Sequence, residues 1–236
     1  MIRHKIAVVI TGVTLLSYGT ANAHDIRVPV RLAQNRVNPV SYHASQKSKD
    51  VNAVFMSALK AGHFEKAKAL LEAGADPCQK AEYNKTVLML ALQSHRADAD
   101  LVRMLLKTND VNQRNNYNEC AITIACSSGV SVEIIKLLLE HGADKNSRCV
   151  HGHNLLFITL FGSIENSPLV RYLLSIGFDS NEKDKNDGYA LELAMKRNKM
   201  SSARELVRAG ANLSVLSDEE RKKLEPHLKR IRNESR

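Results

Sequence analysis

Apolar residues recur along this chain at three- and four-residue spacing, in pairs of short stretches that polar turns separate. In one such stretch Phe64, Ala67 and Leu70 would share one face of a helix. Each pair of stretches ends in two adjacent apolar residues: Leu70-Leu71, Leu105-Leu106, Leu138-Leu139, Leu173-Leu174 and Leu206-Val207. The pattern therefore predicts five pairs of short helices.

A tight turn follows each apolar pair, and these turns recur at nearly constant spacing. Four of them contain glycine (Gly74, Gly142, Gly177 and Gly210), Asn109 stands in the fifth, and successive turns lie 33 to 35 residues apart. Glycine here permits the left-handed backbone that ends a helix. This period is typical of a helical solenoid, in which helix pairs stack because one pair alone is too small to form a core.

The repeat resembles that of the ankyrin family, which runs Gly-x-Thr-Pro-Leu-His-x-Ala-Ala-x-x-Gly-His and then Leu-Leu-x-x-Gly-Ala-Asp-x-Asn. Gly62-His63 and the segment from Leu70 to Asp76 match this phrase almost letter for letter. The resemblance implies an all-α ankyrin-repeat solenoid of about five helix-loop-helix repeats with a C-terminal capping helix. No copy keeps Thr-Pro-Leu-His intact, so we expect weaker interfaces between repeats than in a consensus array.

Residues 1–23 have the pattern of a secretory signal peptide. Basic residues precede an apolar run that ends at Leu16, and Ala21-Asn22-Ala23 supplies a small-x-small cleavage site. The alternative, an uncleaved anchor, is disfavoured because the run is shorter than the roughly 20 residues that span a bilayer. We expect cleavage before His24 and export to the periplasm, or secretion. The short basic start favours a bacterial origin.

Three further segments follow the predicted signal peptide. Residues 24–47 contain Pro29 and Pro39, and we expect an extended strap over the first repeat or a partly disordered leader. Residues 48–213 hold the five repeats. Residues 214–236 are predicted to form a basic capping helix that begins with a capping box at Ser217 and Glu220 and is broken or restarted at Pro226.

The chain is basic, with a formal net charge of +9. Without Arg3 and Lys5 the charge would be +7, of which the segment 220–236 carries +4. Basic surfaces attract nucleic acid, anionic lipid or acidic proteins. Because nucleic acid is scarce in the periplasm, no nucleic-acid partner is predicted. The tail remains either a solvated cap of the solenoid or a contact for anionic lipid or cell-envelope polymer.

The chain has four cysteines, and the predicted oxidising compartment favours disulfides. In the family register Cys126 occupies a buried alanine position, which favours a reduced core thiol. We predict a disulfide between Cys120 and Cys149, with Cys78 to Cys120 as the rival pairing. A zinc site is disfavoured because the sequence has no Cys-x-x-Cys pair.

The sequence contains no recognisable catalytic or cofactor motif, so neither an enzyme nor a cofactor is predicted. Gly-x-Ser-x-Gly, His-Glu-x-x-His and a phosphate-binding glycine loop are all absent. His151 and His153 could offer two imidazoles to a metal, but no third ligand is evident, and we expect a solvated or partner-contacting pair.

In the ankyrin family, finger loops and first helices form a concave face that contacts partners, and the resemblance assigns that role here. Tyr83, Tyr117 and His151 lie 34 residues apart and should form a stripe, although the tyrosines could instead only pack on neighbouring fingers. Rigid aromatic side chains are favoured interface anchors. The predicted partner-binding residues are Tyr83, Lys85, Asn116, Tyr117, His151, His153, Phe161, Lys185 and Arg197.

The predicted function is a monomeric protein-binding module whose partner is acidic where it meets Lys85, Lys185 and Arg197. Two roles fit an exported bacterial array: neutralising a toxin, as an immunity protein does, or protecting or scaffolding a periplasmic enzyme. An envelope-binding protein that acts through its basic tail is the alternative.

Overall fold

The computed structural model describes residues 39–186 and 188–234. From His43 onward this part of the chain forms one compact unit. The predicted signal peptide and residues 24–38 of the predicted strap lie outside the described residues. The described helices are α1 Pro39–Lys60, α2 Phe64–Glu72, α3 Val87–Ala91, α4 Ala99–Leu106, α5 Ala121–Ser128, α6 Val132–Glu140, α7 Leu155–Phe161, α8 Ser167–Ser175, α9 Ala190–Lys196, α10 Met200–Arg208 and α11 Asp218–Glu234.

Five consecutive helix pairs, α1/α2 to α9/α10, form the five predicted repeats, and α11 packs against α10 at the end of the array. From α3 to α9 the first helices pack against each other in chain order, and so do the second helices from α2 to α10. Their apolar faces form one continuous core that includes Phe55, Leu88, Ile122 and Phe157, all fully buried. No β-strand occurs in the described residues. The structure thus confirms the all-α repeat fold.

Residues 39–47 correct the expected strap, because they are helical. They form the first part of α1, which begins at Pro39. The expectation took Pro39 as a mark of extended chain, whereas Pro39 lies in the described helix.

The structure contains the turn glycines and the capping box that the sequence predicts at the ends of helices. Gly74 has φ +93°, and the next amide, that of Ala75, donates to the Leu70 carbonyl at 2.9 Å, which satisfies the end of α2. At the start of α11 the predicted capping box is present, since the Ser217 and Glu220 side chains each accept from the other's backbone amide. Pro226 does not break α11, which continues through it. No helix among the described residues has the length and apolar character needed to cross a membrane.

A row of cation contacts, which we call the cation ladder, joins each second helix or its cap to the next. In each of the four contacts the cation comes from the earlier repeat. Salt bridges form three of them, and the Lys136 ammonium lies 5.4 Å from the ring centre of Tyr172 in the other. The salt bridges are Lys68–Asp98 (3.4 Å), Arg103–Glu133 (2.7 Å) and Arg171–Glu205 (2.9 Å).

The last of these salt bridges involves a buried carboxylate. Burial raises the pKa of Glu205, but the hydrogen bond from Arg171 and the charges of Arg171, Arg208 and Arg204 outweigh burial, so the pKa is lowered overall. The Glu205 side chain is only 2% exposed, and Arg171 donates to both of its oxygens.

Asparagine side chains tie the turns that follow the second helices. Asn112 donates to the Gly142 carbonyl at 2.8 Å and accepts from the Asp144 amide at 3.0 Å. Asn181 bonds in the same way to Gly210 and Asn212. These bidentate contacts join neighbouring repeats although the Thr-Pro-Leu-His phrase is missing. The expectation of weak interfaces considered only that phrase.

Candidate functional site

Four hairpin turns project between successive repeats, and we call them fingers 1 to 4. They comprise residues 81–85, 115–119, 149–153 and 184–188. In each finger the first amide donates to the carbonyl four residues later, at 2.8 to 3.1 Å. In fingers 1 and 4, an isolated β-bridge pairs the two residues that flank the finger. These bridges join Lys80 with Thr86 and Lys183 with Tyr189. Backbone pairing therefore closes each finger at its base; residue 187 of finger 4 lies outside the described residues.

The tips of fingers 1 and 2 carry the two predicted tyrosines, which contact each other. The ring centres of Tyr83 and Tyr117 lie 5.1 Å apart at an interplanar angle of 45°. The Asn116 amide also donates to the Tyr83 carbonyl at 2.9 Å, which joins the two backbones. Yet the tyrosines remain 53% and 48% exposed. They pack on neighbouring fingers and also present an aromatic surface to solvent, so a partner-binding role stays a prediction.

Finger 3 ends the aromatic stripe. His151 is exposed, whereas His153 is buried and its ring centre lies 4.7 Å from that of Phe161 and 6.0 Å from that of Phe157. Burial lowers the pKa of His153, while the nearby Asp184 carboxylate partly opposes this effect. Within the described residues no hydrogen bond reaches His153 Nδ1, which lies 3.8 Å from the closer Asp184 oxygen.

An open cavity of about 430 Å³, which we call the groove, lies between fingers 2 and 3. Its lining is mainly apolar, with four lining residues from α5 and α7 and three from finger 3. The Arg197 guanidinium lies 5.3 Å from the ring centre of Phe161. The groove is lined by Glu119, Thr123, Ser127, Cys149, His151, His153, Ile158, Phe161, Gly162 and Ser163.

The structure thus divides the predicted site residues into two groups. Tyr83, Lys85, Asn116 and Tyr117 lie on fingers 1 and 2, with Lys85 half-buried at the end of its finger. The groove or its surroundings hold the others: His151, His153, Phe161, Lys185 and Arg197.

Sequence reasoning missed several side chains of the groove. Thr123 and Ser127 lie one helical turn apart on α5, so helical spacing alone could have placed them on one face. Cys149 was considered only as a disulfide partner. The i, i+4 spacing could therefore have predicted that Thr123 and Ser127 share a face of α5. It could not have predicted the distance between the repeats on either side of the groove.

The structure also corrects the predicted disulfide. All four cysteines are free thiols, including Cys120 and Cys149. Cys120 is the N-cap of α5 and is buried, and its sulfur lies 3.5 Å from Ser147 Oγ and 3.8 Å from Thr123 Oγ1. Its thiol therefore points into the core, whereas Cys149 lines the groove. Cys126 is fully buried, and desolvation raises its pKa to about 12.

The His151–His153 pair does not complete a metal site. The described residues contain no group of three or more His, Cys, Asp or Glu side chains that could hold a metal ion. Because the Asp184 oxygen Oδ1 accepts from the Asn186 and Gly188 amides, this carboxylate is committed to the turn of finger 4.

The stability of the protein is expected to fall as the pH drops below the ordinary histidine pKa of 6.5, because His153 has a lowered pKa when folded. The unfolded state then binds the proton more tightly, so acid favours unfolding. His153→Phe should remove this part of the pH dependence, and His151→Phe, at an exposed position, should not. Thermal melts of the three proteins between about pH 7.5 and 5 check this. Equal pH dependence in all three would contradict it.

Comparison with known proteins agrees with this architecture. A sequence model of ankyrin repeats, three copies long, matches residues 55–149. The chain is 34% identical over 96 residues to the E3 ubiquitin-protein ligase KEG of Arabidopsis thaliana, which covers 40% of this chain and 6% of KEG. It is 26% identical over 132 residues to the ankyrin repeat domain-containing protein OPG023 of cowpox virus (strain Brighton Red), covering 54% of this chain and 20% of OPG023. The chain thus spans a small part of either relative.

Proposed function

We propose that this chain, an ankyrin-repeat protein, is a non-catalytic module that binds a protein partner through its fingers and concave face. The presence of ankyrin repeats indicates a protein–protein interaction module. The observation that carries the proposal is the half-exposed pair of Tyr83 and Tyr117 on adjacent, hydrogen-bonded fingers. The activity of the ligase named above belongs to a protein of which this chain matches only 6%.

The tyrosine pair has the properties of an interface anchor. Each ring offers a large apolar area with a polar tip, and few rotatable bonds must be fixed on binding. The contact between the rings and the backbone bond from Asn116 already restrict their motion. Because that ordering cost is met in the free protein, more of the contact energy is available for affinity.

Charge near the groove supports an acidic partner. Within the described residues Lys185 and Arg197 are exposed and form no ion pair. The acidic side chains nearby are engaged internally, since Glu119 accepts from Asn115 at 2.8 Å and Asp184 caps its own finger. The cations are thus available to a partner, for which they should chiefly raise the association rate.

The proposed setting is the periplasm of a bacterium, or the medium outside the cell, because of the predicted signal peptide. In that setting we propose either neutralisation of a toxin or protection or scaffolding of an enzyme. Tight binding to one acidic protein supports the first role, and looser binding to several supports the second. Affinity capture from periplasmic extract, followed by titration of each captured protein, separates the two.

Tyr83→Ala combined with Tyr117→Ala is expected to weaken partner binding by about 2 kcal/mol or more, roughly thirtyfold, because buried aromatic anchors dominate interface energetics. Isothermal titration with the captured partner measures the loss. Tyr172→Ala serves as the matched control, since Tyr172 lies on α8 beneath Lys136 and away from the fingers. Unchanged affinity in the double variant, with a cooperative melt, would place the binding surface elsewhere.

A second candidate function rests on α11, where Arg221, Lys222 and Lys223 are exposed. Such a helix could bind anionic lipid or envelope polymer electrostatically. Deletion of residues 220–236 should then abolish salt-sensitive binding to vesicles that contain phosphatidylglycerol. Binding that survives the deletion, or that fails to respond to salt, contradicts this candidate.

A further inference from the structure

The groove opens where the tyrosine pair ends. Between fingers 1 and 2, Tyr83 and Tyr117 close the space by ring contact. One repeat later the corresponding residue is His151, whose ring centre lies 6.3 Å from that of His153 on its own finger. The smaller imidazoles leave the space between fingers 2 and 3 open to solvent, and this space is the groove.

The groove has the size and lining of a pocket for an apolar side chain. Its volume of about 430 Å³ lies in the range of small-ligand sites and exceeds the volume of one aromatic side chain. Phe161, Ile158 and the Cys149 sulfur supply apolar surface. Around them lie a few polar groups, including the buried His153, whose Nδ1 forms no hydrogen bond within the described part of the chain.

Two positively charged side chains lie beside the groove, on the side of finger 4. The Arg197 guanidinium lies over Phe161, and the Lys185 side chain runs beside Gly152, where an added Cβ would lie 3.7 Å from Lys185 Cδ. On the opposite side Glu119 is bound by Asn115. An occupant with carboxylates near its apolar group would therefore find unpaired cations beside the pocket.

The floor of the groove is fixed before any ligand arrives. A Cβ built on Gly162 would lie 2.6 Å from the Ser127 carbonyl oxygen, so the ends of α5 and α7 are in close backbone contact. The buried Lys199 ammonium donates to the carbonyls of Thr159, Gly162 and Ile164 at 2.6 to 3.1 Å. Such a floor cannot collapse into the space above it, which keeps the groove open.

From these contacts we propose that the groove receives one large apolar side chain from an acidic segment of the partner. The inference rests on the proposed function and adds a second contact region to it. Fingers 1 and 2 supply the aromatic surface, and the groove selects the side chain that enters it. Lys185 and Arg197 select the carboxylates on either side of that side chain.

The two accessible cysteines allow a direct test. Cys149 lines the groove, Cys78 is exposed outside it, and Cys120 and Cys126 are buried. Alkylation of the full chain with iodoacetamide, followed by peptide mass spectrometry, gives separate rates at Cys149 and Cys78. The probes are three short peptides: Asp/Glu-rich with a central Phe, Asp/Glu-rich with a central Ser, and Lys-rich with a central Phe.

The acidic Phe peptide is expected to slow alkylation at Cys149 about threefold at twice its Kd, and to leave the rate at Cys78 unchanged. The other two peptides should protect neither thiol. Equal protection by the acidic Ser peptide overturns the apolar part of the proposal, and equal protection by the Lys-rich peptide overturns the acidic part. No protection of Cys149 by any of the three peptides overturns the groove as a binding site.

Two variants complete the test. Phe161→Ala removes apolar lining, and Arg197→Gln removes a cation from an exposed position without touching the core. Both should weaken protection at least about tenfold in Kd, and Lys196→Gln, at the neighbouring exposed position, should not. The Tyr83→Ala/Tyr117→Ala variant should keep the protection. Partner binding that depends on the tyrosines, with no peptide protection, therefore refutes the groove inference and leaves the proposed function standing.

Discussion

A Lys199→Met variant is expected to lose about 3 kcal/mol of unfolding free energy, because one buried and two partly buried carbonyl groups lose the donor that they share. The Lys199 ammonium donates to Thr159 O at 3.1 Å, Gly162 O at 2.6 Å and Ile164 O at 3.0 Å. Methionine fills a similar volume but donates no hydrogen bond. Desolvation lowers the pKa of Lys199, and the nearby Glu165 carboxylate partly opposes this effect. Urea denaturation at neutral pH measures the change.

Lys66→Met is the matched control, since Lys66 is exposed on α2 and should change stability little. The loss should also appear in the groove, because two of the three carbonyls belong to the turn after α7. Amide hydrogen exchange at residues 159–165 should rise in Lys199→Met and stay unchanged in Lys66→Met. If Lys199→Met and the parent protein had the same urea midpoint, the prediction would be wrong, because the carbonyls would then lose the ammonium without any loss of stability.

A Gly162→Ala variant is expected to lose about 3 kcal/mol as well, for a steric reason. Gly162 has φ −51° and ψ 152°, which any residue adopts, so backbone strain plays no part. The added Cβ would lie 2.6 Å from the Ser127 carbonyl oxygen and 3.3 Å from that of Thr159. Both contacts are with backbone, so α5 and α7 must move apart. Denaturation midpoints, together with the alkylation rate of Cys149, report the loss and the altered groove.

Gly74→Ala separates this effect from ordinary glycine strain. Gly74 has φ +93° and no atom within 4 Å of an added Cβ, so alanine costs only about 1 kcal/mol there, from the left-handed backbone. Gly162→Ala should be clearly less stable than Gly74→Ala. The reverse order would show that the end of α7 can shift freely. Because Lys199 bonds to Gly162, the Lys199→Met and Gly162→Ala losses should not add.

The period and the apolar faces predicted the fold well, because local rules determine each repeat. The leucine pairs, the turn glycines and the Ser217–Glu220 capping box each act over a few residues, and the structure shows each of them. Proline was interpreted less well. Pro39 and Pro226 were both taken as marks of non-helical chain, yet they lie in α1 and α11.

The candidate site was less predictable because it depends on distances between repeats. The 34-residue spacing predicted that Tyr83 and Tyr117 would align, and they do. The same spacing placed His151 on the stripe, but no periodicity shows that His153 turns inward toward Phe161 while His151 stays exposed. The role of Lys199 was also hidden, since its three carbonyl partners lie 35 to 40 residues earlier in the chain.

The cation ladder is uneven, and this affects how salt titrations of binding should be interpreted. Added salt screens the ion pair between the exposed Arg103 and Glu133 side chains more than the pair on buried Glu205, whereas the rung between Lys136 and Tyr172 contains no ion pair. That rung joins the third and fourth repeats, the same two repeats whose first helices wall the groove. Along this row of contacts, the groove junction therefore has no ion pair for added salt to screen. If a partner dissociates at moderate salt, we therefore expect the cause to be the loss of charged contacts between partner and protein. The groove itself should keep its shape.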